Sequence, residues 1–490
     1  MMRARLVGFA GARGLPRLSL LAVAVLLAGC ASLAPDYERP ALPVPVVLGN
    51  AAVGTSQVAG DAQRLGWSDF VQAPQLRALI TLALDNNRDL RVALLAIERA
   101  RAQYGVERAN LFPGVAATGL GNRSQTPQDL NTNGRAQLTS QYSAQLGFSS
   151  YELDFFGRVR NLSDAALQEY LRVTENQRSV QLSLVAEVAN AWLNLAANQQ
   201  RLQLARETLR SREASYALTQ RIHALGATSG LVLAQNQTTV DSARLDVASF
   251  TSQVARDGNA LSVLVGSAVP VSLLPAGIAP IPGQPAVAGA SVNVAAALVA
   301  VPADLPSLVL LRRPDVEAAE HALRATYASL GAARAAFFPS ISLTASVGTG
   351  SNALSGLFAS GNGSWSFIPQ IRLPIFDAGR NRANLEVAQA NQGIAVAQYE
   401  KAIQTAFRET ADAFADRATL AERLAAQASL LDATQRAFSL SDARFKAGVD
   451  NYLTVLDAQR SLYTAQQTLI SLQLAEQANR ITIYKVLGGG

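Results

Sequence analysis

Apolar and polar positions along this chain of 490 residues follow two periods. Over the longest stretches the period is helical. Val159 to Leu225 contains neither proline nor glycine, and from Ile375 onward there is no proline, with Gly393 and Gly448 the only glycines between Arg380 and Leu487. Such runs predict very long helices. At 1.5 Å per residue the first would reach roughly 100 Å, which points to a coiled coil or a helical repeat. Phe407, Phe414, Ala421 and Ala428 recur seven apart, with Ala411, Ala418 and Ala425 four residues after the first three. This predicts a heptad seam of mostly small residues that lets neighbouring helices approach closely.

Between the helices the period drops to two. Ser340 to Val347 alternates polar and apolar without a break, and Trp365, Phe367, Ile371, Leu373 and Ile375 share one parity against Ser366, Gln370 and Arg372. Tyr142, Ala144, Leu146 and Phe148 against Ser143, Gln145 and Ser149 predict a third strand, and Val115 to Thr118 a weaker fourth. Segments of about ten residues with one apolar face fit transmembrane β-strands; they also fit a soluble sandwich.

The chain reads as a duplication. Phe112-Pro113 is echoed by Phe338-Pro339, Phe156-Gly157-Arg158 by Phe376 to Arg380, EVANAW (Glu187 to Trp192) by ETADAF (Glu409 to Phe414), and Gly226 by Gly448. Each half predicts two strands, a very long helix, a tight glycine turn and a returning helix. Four strands are too few to close a membrane barrel, and an open edge in lipid leaves backbone groups unpaired. Three copies would supply twelve. The expected fold class is an α+β membrane protein: a trimeric 12-stranded transmembrane β-barrel, four strands per chain, continuing into a long α-helical coiled-coil barrel.

The N-terminus bears on the membrane question. Arg3, Arg5, Arg13 and Arg17 precede an apolar run from Leu18 to Ala28 that is too short to span a bilayer, the layout of a secretory signal. Leu27-Ala28-Gly29-Cys30 resembles a bacterial lipobox and holds the only cysteine. Cys30 is therefore expected to carry a diacylglycerol and an N-acyl chain as a membrane anchor, each buried methylene contributing roughly 0.8 kcal/mol. Ser32 stands where an aspartate would resemble an inner-membrane retention signal, so the outer membrane is the expected destination. No other run is a transmembrane-helix candidate, leaving strands as the way through a bilayer. Four of the 42 basic residues and no acid precede Cys30, so removal of the signal lowers the formal charge of +6 to about +2. No basic stripe interleaved with aromatics supports nucleic-acid binding.

Catalytic chemistry finds little material. His223 and His321 are the only histidines, and AEHAL lacks the second histidine of a zinc helix. GTGSNALSGL (Gly348 to Leu357) lacks the lysine and the serine or threonine of a phosphate loop; an extracellular loop is the expectation there. Neither an enzyme, a metal site nor a cofactor is expected.

Five blocks carry a family resemblance: LAPDYERP (Leu33 to Pro40), LRRPDVEAAEHAL (Leu311 to Leu323), LGAARAAFFPSISLT (Leu330 to Thr344), GSWSFIPQIRLPIFDAGRNRANLE (Gly363 to Glu386) and RFKAGVDNYLTVLDAQRSLYTAQQ (Arg444 to Gln467). In this order they resemble the outer-membrane efflux lipoproteins of the TolC and NodT group, of the OprM type. The resemblance implies a homotrimeric channel spanning the outer membrane and periplasm, serving a tripartite multidrug efflux system. Its implied partners are a periplasmic membrane-fusion adaptor and an inner-membrane pump of the resistance-nodulation-division (RND) class.

The resemblance also carries a periplasmic gate onto Arg444, Phe445, Leu453 and Asp457, which flank Gly448, and adaptor docking onto the hairpin tips at Gly226 and Gly448. The spacing lets Arg444 reach an aspartate on the paired or a neighbouring helix; solvated tip charges are the alternative. The matching turn of the first half has Val232 where the resembling channels have a second acid. The implied organisation is residues 1–29 signal, 30–72 extended lipid-anchored segment, 73–266 first repeat, 267–313 mixed connecting segment and 314–490 second repeat. Export of protein by a type I system, heavy-metal efflux, and a non-conducting coiled-coil lipoprotein remain alternatives. Both methionines belong to the signal, so the mature chain has no thioether for soft cations.

Overall fold

The computed structural model describes residues 32–45, 66–275, 298–299 and 307–489. In chain order the elements are α1 (Trp67–Phe70), α2 (Pro74–Asn86), α3 (Arg88–Ala109), β1 (Ala116–Thr126), β2 (Gln137–Leu153), α4 (Arg158–Ala224), α5 (Gly230–Val265), α6 (Pro314–Ala335), β3 (Ser340–Ser351), β4 (Gly363–Arg372), α7 (Arg380–Lys446) and α8 (Tyr452–Val486). The duplication is visible in the helices. α4 and α7 each have 67 residues, and both ends are displaced by 222 (158 to 380, 224 to 446). No helix among the described residues is long and apolar enough to cross a membrane.

The chain divides into two compact units. One comprises the described parts of Met1–Pro40, Ile97–Val173 and Ala319–Tyr399 and holds one antiparallel sheet in the order β1-β2-β3-β4. A bulge at Ser149 and Ser150 shifts the β2–β3 register between Phe148 and Tyr151: Ser150 adopts φ 55° and donates its N–H to Thr344 Oγ1 at 3.0 Å. The N-terminal segment lies on α6. Arg334 donates to Leu33 O at 3.2 Å, and Ala34 sits so close to Gly331 that a Cβ there would meet its Cα at 2.7 Å. Glu320 of α6 is buried and accepts from Tyr37 Oη at 3.0 Å, from Arg39 at 2.8 and 2.9 Å, and from Arg324 at 2.7 Å. Burial pushes the Glu320 carboxyl up, but the hydrogen bonds from Arg39 and Tyr37 and both guanidinium charges outweigh it and hold it below its ordinary value. Burial and Glu320 together push the nearby Tyr399 hydroxyl up to about 12.

The second unit comprises Ala41–Ala96, Thr174–Ala318 and Glu400–Gly490. Its core joins α4, α7 and α8: Ala196, Ala197 and Leu204 meet Leu431, Leu462, Ala465, Leu469 and Ile470. Trp192 is fully buried and donates its indole N–H to Leu273 O at 2.9 Å. The heptad of α7 is real, but its buried seam runs one position earlier than the pattern predicts. Ala406, Ala413, Leu420 and Gln427 are buried, whereas Phe407 and Phe414 are half-buried and Ala421 and Ala428 exposed. Two rows with the same seven-residue spacing lie side by side on this helix, and one chain covers one of them more fully than the other. Gln427 is tolerated in the core because its amide donates to Ala465 O at 2.9 Å. Arg313 is likewise buried, with Asp315 and Glu409 at 2.8 Å and Val486 O at 2.9 Å.

Candidate functional site

Two places bear on function, each within one unit. The first is the sheet. Its register sets Ala117, Leu146, Val347 and Trp365 in one cross-strand row and Phe148, Ala345 and Phe367 in the next, with Leu153, Ile341 and Ile371 farther along the same face. The opposite face carries Thr118, Gln145, Gly348 and Ser364, then Ser346 and Ser366, whose hydroxyls lie 2.8 Å apart. Leu120 and Ile368 are apolar residues on that polar face. The apolar face is bare: Trp365 is 79 % exposed, with Leu146, Val347, Phe367 and Ile371 also exposed. Among the described residues β1 and β4 each lack a partner on their outer edge. β1 is longer than its alternation predicts because Gly119 and Gly121 blur the pattern; Tyr142 covers Gly121, where a Cβ would meet its ring at 3.3 Å.

The second place is the pair of helical tips. Residues 225–229 join α4 to α5 and residues 447–451 join α7 to α8. Both turns close alike. Gly226 and Gly448 adopt φ 69° and 74°, and the N–H groups of Ala227 and Val449 reach back to Ile222 O and Arg444 O, each at 3.0 Å. This left-handed glycine cap satisfies carbonyls that a helix end leaves free. Ser229 and Asn451 then cap the returning helices, accepting from the N–H groups of Val232 at 3.3 Å and Thr454 at 3.2 Å.

Among the expected gate residues, the structure brings Arg444 and Phe445 to the second turn. Arg444 makes a two-pronged pair with Asp450 at 2.6 and 3.0 Å, and the hydrogen bonding raises the arginine and lowers the aspartate from their ordinary values. Phe445 lies against Tyr452, ring centres 5.1 Å apart. Val232 joins Phe445 in covering Tyr452, Val455 and Leu456, so the apolar residue in place of an acid packs one hairpin on the other. Leu453 is exposed. Asp457 is exposed too and faces Arg460 at 3.7 Å rather than Arg444. Cys30 lies outside the described residues.

Residues 79–267 and 305–489 match the family of outer membrane efflux proteins. The chain belongs to that family. Membership of the outer membrane efflux proteins makes it an outer-membrane protein of efflux. It is 46 % identical over 475 residues to the toluene efflux pump outer membrane protein TtgC of Pseudomonas putida, covering 96 % of this chain and 95 % of that one. A membrane protein of Pseudomonas aeruginosa has the same fold (TM-score 0.84, 43 % identity, 94 % of this chain and 98 % of that one). So does the MtrE outer membrane channel of Neisseria gonorrhoeae, solved in its open state (TM-score 0.81, 39 % identity, 94 % and 98 %). The α+β architecture expected from the two periods is the observed one.

Three contributors are not singled out by the sequence, two at the tips and one farther along the helices. Asp450 carries a signal, an acid six residues past Arg444 across a glycine turn. Tyr452 carries none until Phe445 and Val232 are seen around it. The third is a link among helices: Tyr463 of α8 donates to Asp246 of α5 at 3.2 Å, while Arg212 of α4 lies 5.6 Å from the Tyr463 ring and donates to Thr239 O at 2.9 Å. Burial, with the Asp246 charge, pushes the Tyr463 hydroxyl up to about 12.

Proposed function

We propose that three copies of this chain form the outer-membrane exit duct of a tripartite RND-type efflux system for drugs and other amphiphilic compounds. The observation that carries the trimer is a four-stranded sheet with a bare apolar face and two free edges. In lipid, an edge strand of 10 or 11 residues leaves on the order of ten backbone groups unpaired, each costing several kcal/mol. Pairing β1 of one copy with β4 of the next removes both edges. The two lengths match each other and the 9–11 residues of a tilted transmembrane strand, and three copies make an even-numbered barrel. The exposed second seam of α7 then meets a neighbouring copy in the helical part. The polar face of the sheet lines the duct and the apolar face meets lipid.

The periplasmic adaptor docks at the tips around Gly226 and Gly448, the pump lies in the inner membrane, and acyl chains on Cys30 anchor the tail. Arg444, Phe445, Leu453 and Asp457 form the periplasmic constriction, with Arg444 acting through Asp450 and Asp457 meeting its copies at the axis. Light scattering of the purified protein in detergent and planar-bilayer conductance test this reading. A monodisperse folded monomer, or a trimer that never conducts after tip charges are removed, overturns it.

A further inference from the structure

The internal duplication is broken at one functionally suggestive point. Arg158 opens α4 and Arg380 opens α7, 222 residues apart. In the first repeat Glu152 holds Arg158 in a two-pronged pair at 2.5 and 2.8 Å. The position 222 residues after Glu152 is Pro374, so the second repeat has no counterpart acid. Asp377, the nearest acid to Arg380 in sequence, is engaged in capping α7: its carboxylate accepts from the N–H groups of Gly379 at 3.0 Å and Asn381 at 2.8 Å. Arg380 therefore has no ion pair among the described residues, and neither does Arg372 at the end of β4.

Both arginines line one cavity of about 310 Å³, together with Arg158, the acids Glu152, Asp154 and Asp377, and an aromatic wall in which Phe156 and Phe338 stack with ring centres 4.8 Å apart. The register assigns the side on which it opens. Glu152 pairs with Ser342 and Arg372 with Ser340, in the parity of the polar row, opposite to Trp365 and Phe367. A cavity of this size suits a small ligand, apolar walls with a few polar groups fixing orientation. The acids of the lining are already engaged, Glu152 by Arg158, Asp154 by Arg160 and Asp377 by the N–H groups of Gly379 and Asn381, so the guanidiniums of Arg372 and Arg380 are the ones left to meet an anion, and planar oxyanions match their fork geometry.

We propose that this cavity is a binding site for organic anions with an aromatic body, aryl sulfonates or aryl carboxylates, held by Arg372 and Arg380 against Phe156 and Phe338. Its place as a station inside the duct rests on the proposed function, because that reading turns the polar face to the lumen. Isothermal titration of the full-length protein in detergent with 2-naphthalenesulfonate, and with the naphthylmethylammonium cation as its opposite, tests the site without any flux. The anion is expected to bind at least tenfold more tightly than the cation, more weakly as salt rises. Arg372→Gln with Arg380→Gln should weaken it at least tenfold.

Pro374→Glu keeps both arginines, restores the acid of the first repeat, and should have the same effect, which separates charge from folding. Phe156→Ala should weaken the naphthyl anion and leave inorganic sulfate unaffected. Equal binding of the cation, or unchanged affinity in either arginine or Pro374 variant, overturns the site. Anion binding by a protein that conducts nothing keeps the site and removes the duct.

Discussion

Glu320 is the point at which a single substitution should release the N-terminal segment. Its side chain is 6 % exposed and holds Arg39 and Tyr37 of that segment and Arg324 of its own helix. Breaking a buried ion pair costs about 3–5 kcal/mol when the surviving charge stays buried. Here the Arg39 side chain is 48 % exposed and that of Arg324 36 %, so both guanidiniums rehydrate, and the cost of Glu320→Ala falls to about 2 kcal/mol. At 1.4 kcal/mol per factor of ten, the released state becomes roughly thirtyfold more populated. Cleavage by a glutamyl endopeptidase after Glu38 reads that population directly when opening is fast relative to cutting. Cleavage should accelerate by that factor in Glu320→Ala and only a few-fold in Glu320→Gln, which keeps an acceptor. The carboxyl is held below its ordinary value, so its contribution is present above the ordinary carboxylate range and is lost as pH falls through the depressed value. The segment should stay fastened at neutral and mildly acidic pH and loosen in strong acid. An unchanged cleavage rate in Glu320→Ala would refute the reasoning.

Replacing Arg444 and Asp457 by Ala together should raise single-channel conductance and admit large antibiotics into cells, while Arg460→Ala should do neither; correctly assembled double-variant trimers with unchanged conductance place the closure elsewhere. Because Arg444 is held by Asp450, Asp450→Ala should reproduce the conductance of Arg444→Ala, and a difference between them would separate the arginine's charge from its brace on the turn. Gly448→Val forces a β-branched residue to φ 74° at a cost of about 1–2 kcal/mol, so amide exchange in residues 444–452 should accelerate about tenfold; equal exchange would show that the turn tolerates a side chain. Cys30→Ser should lose a radioactive fatty-acid label in cells while the protein still assembles, and retained label contradicts acylation at Cys30.

How much was legible without coordinates depends on the range of the forces involved. The periods and the breaks in proline and glycine reflect local backbone geometry, so the run from Val159 to Leu225 falls within a residue of α4, a second very long helix is expected in the proline-free half that holds α7, and β3 and the two glycine turns are readable as well. β1 was read short because Gly119 and Gly121 remove the alternation, and the ladder to β2 supplies what local propensity lacks. The buried seam of α7 lies one position from the predicted one, since two adjacent rows of equal spacing are indistinguishable by period and only the facing α4 and α8 decide which one is covered. At the tip, spacing placed Arg444 near an acid. The choice of Asp450 over Asp457 belongs to the turn, which brings residue 450 back toward the helix end while Asp457 continues up α8 beside Arg460. The sequence by itself determined the elements, their duplication and the polarity of each sheet face, all consequences of neighbours a few residues apart. The tertiary structure decided which faces are covered, which distant charges such as Arg39 and Glu320 are paired, and that Arg372 and Arg380 share a cavity with residues of the first repeat without an ion pair of their own, because those depend on segments from both halves of the chain meeting in space.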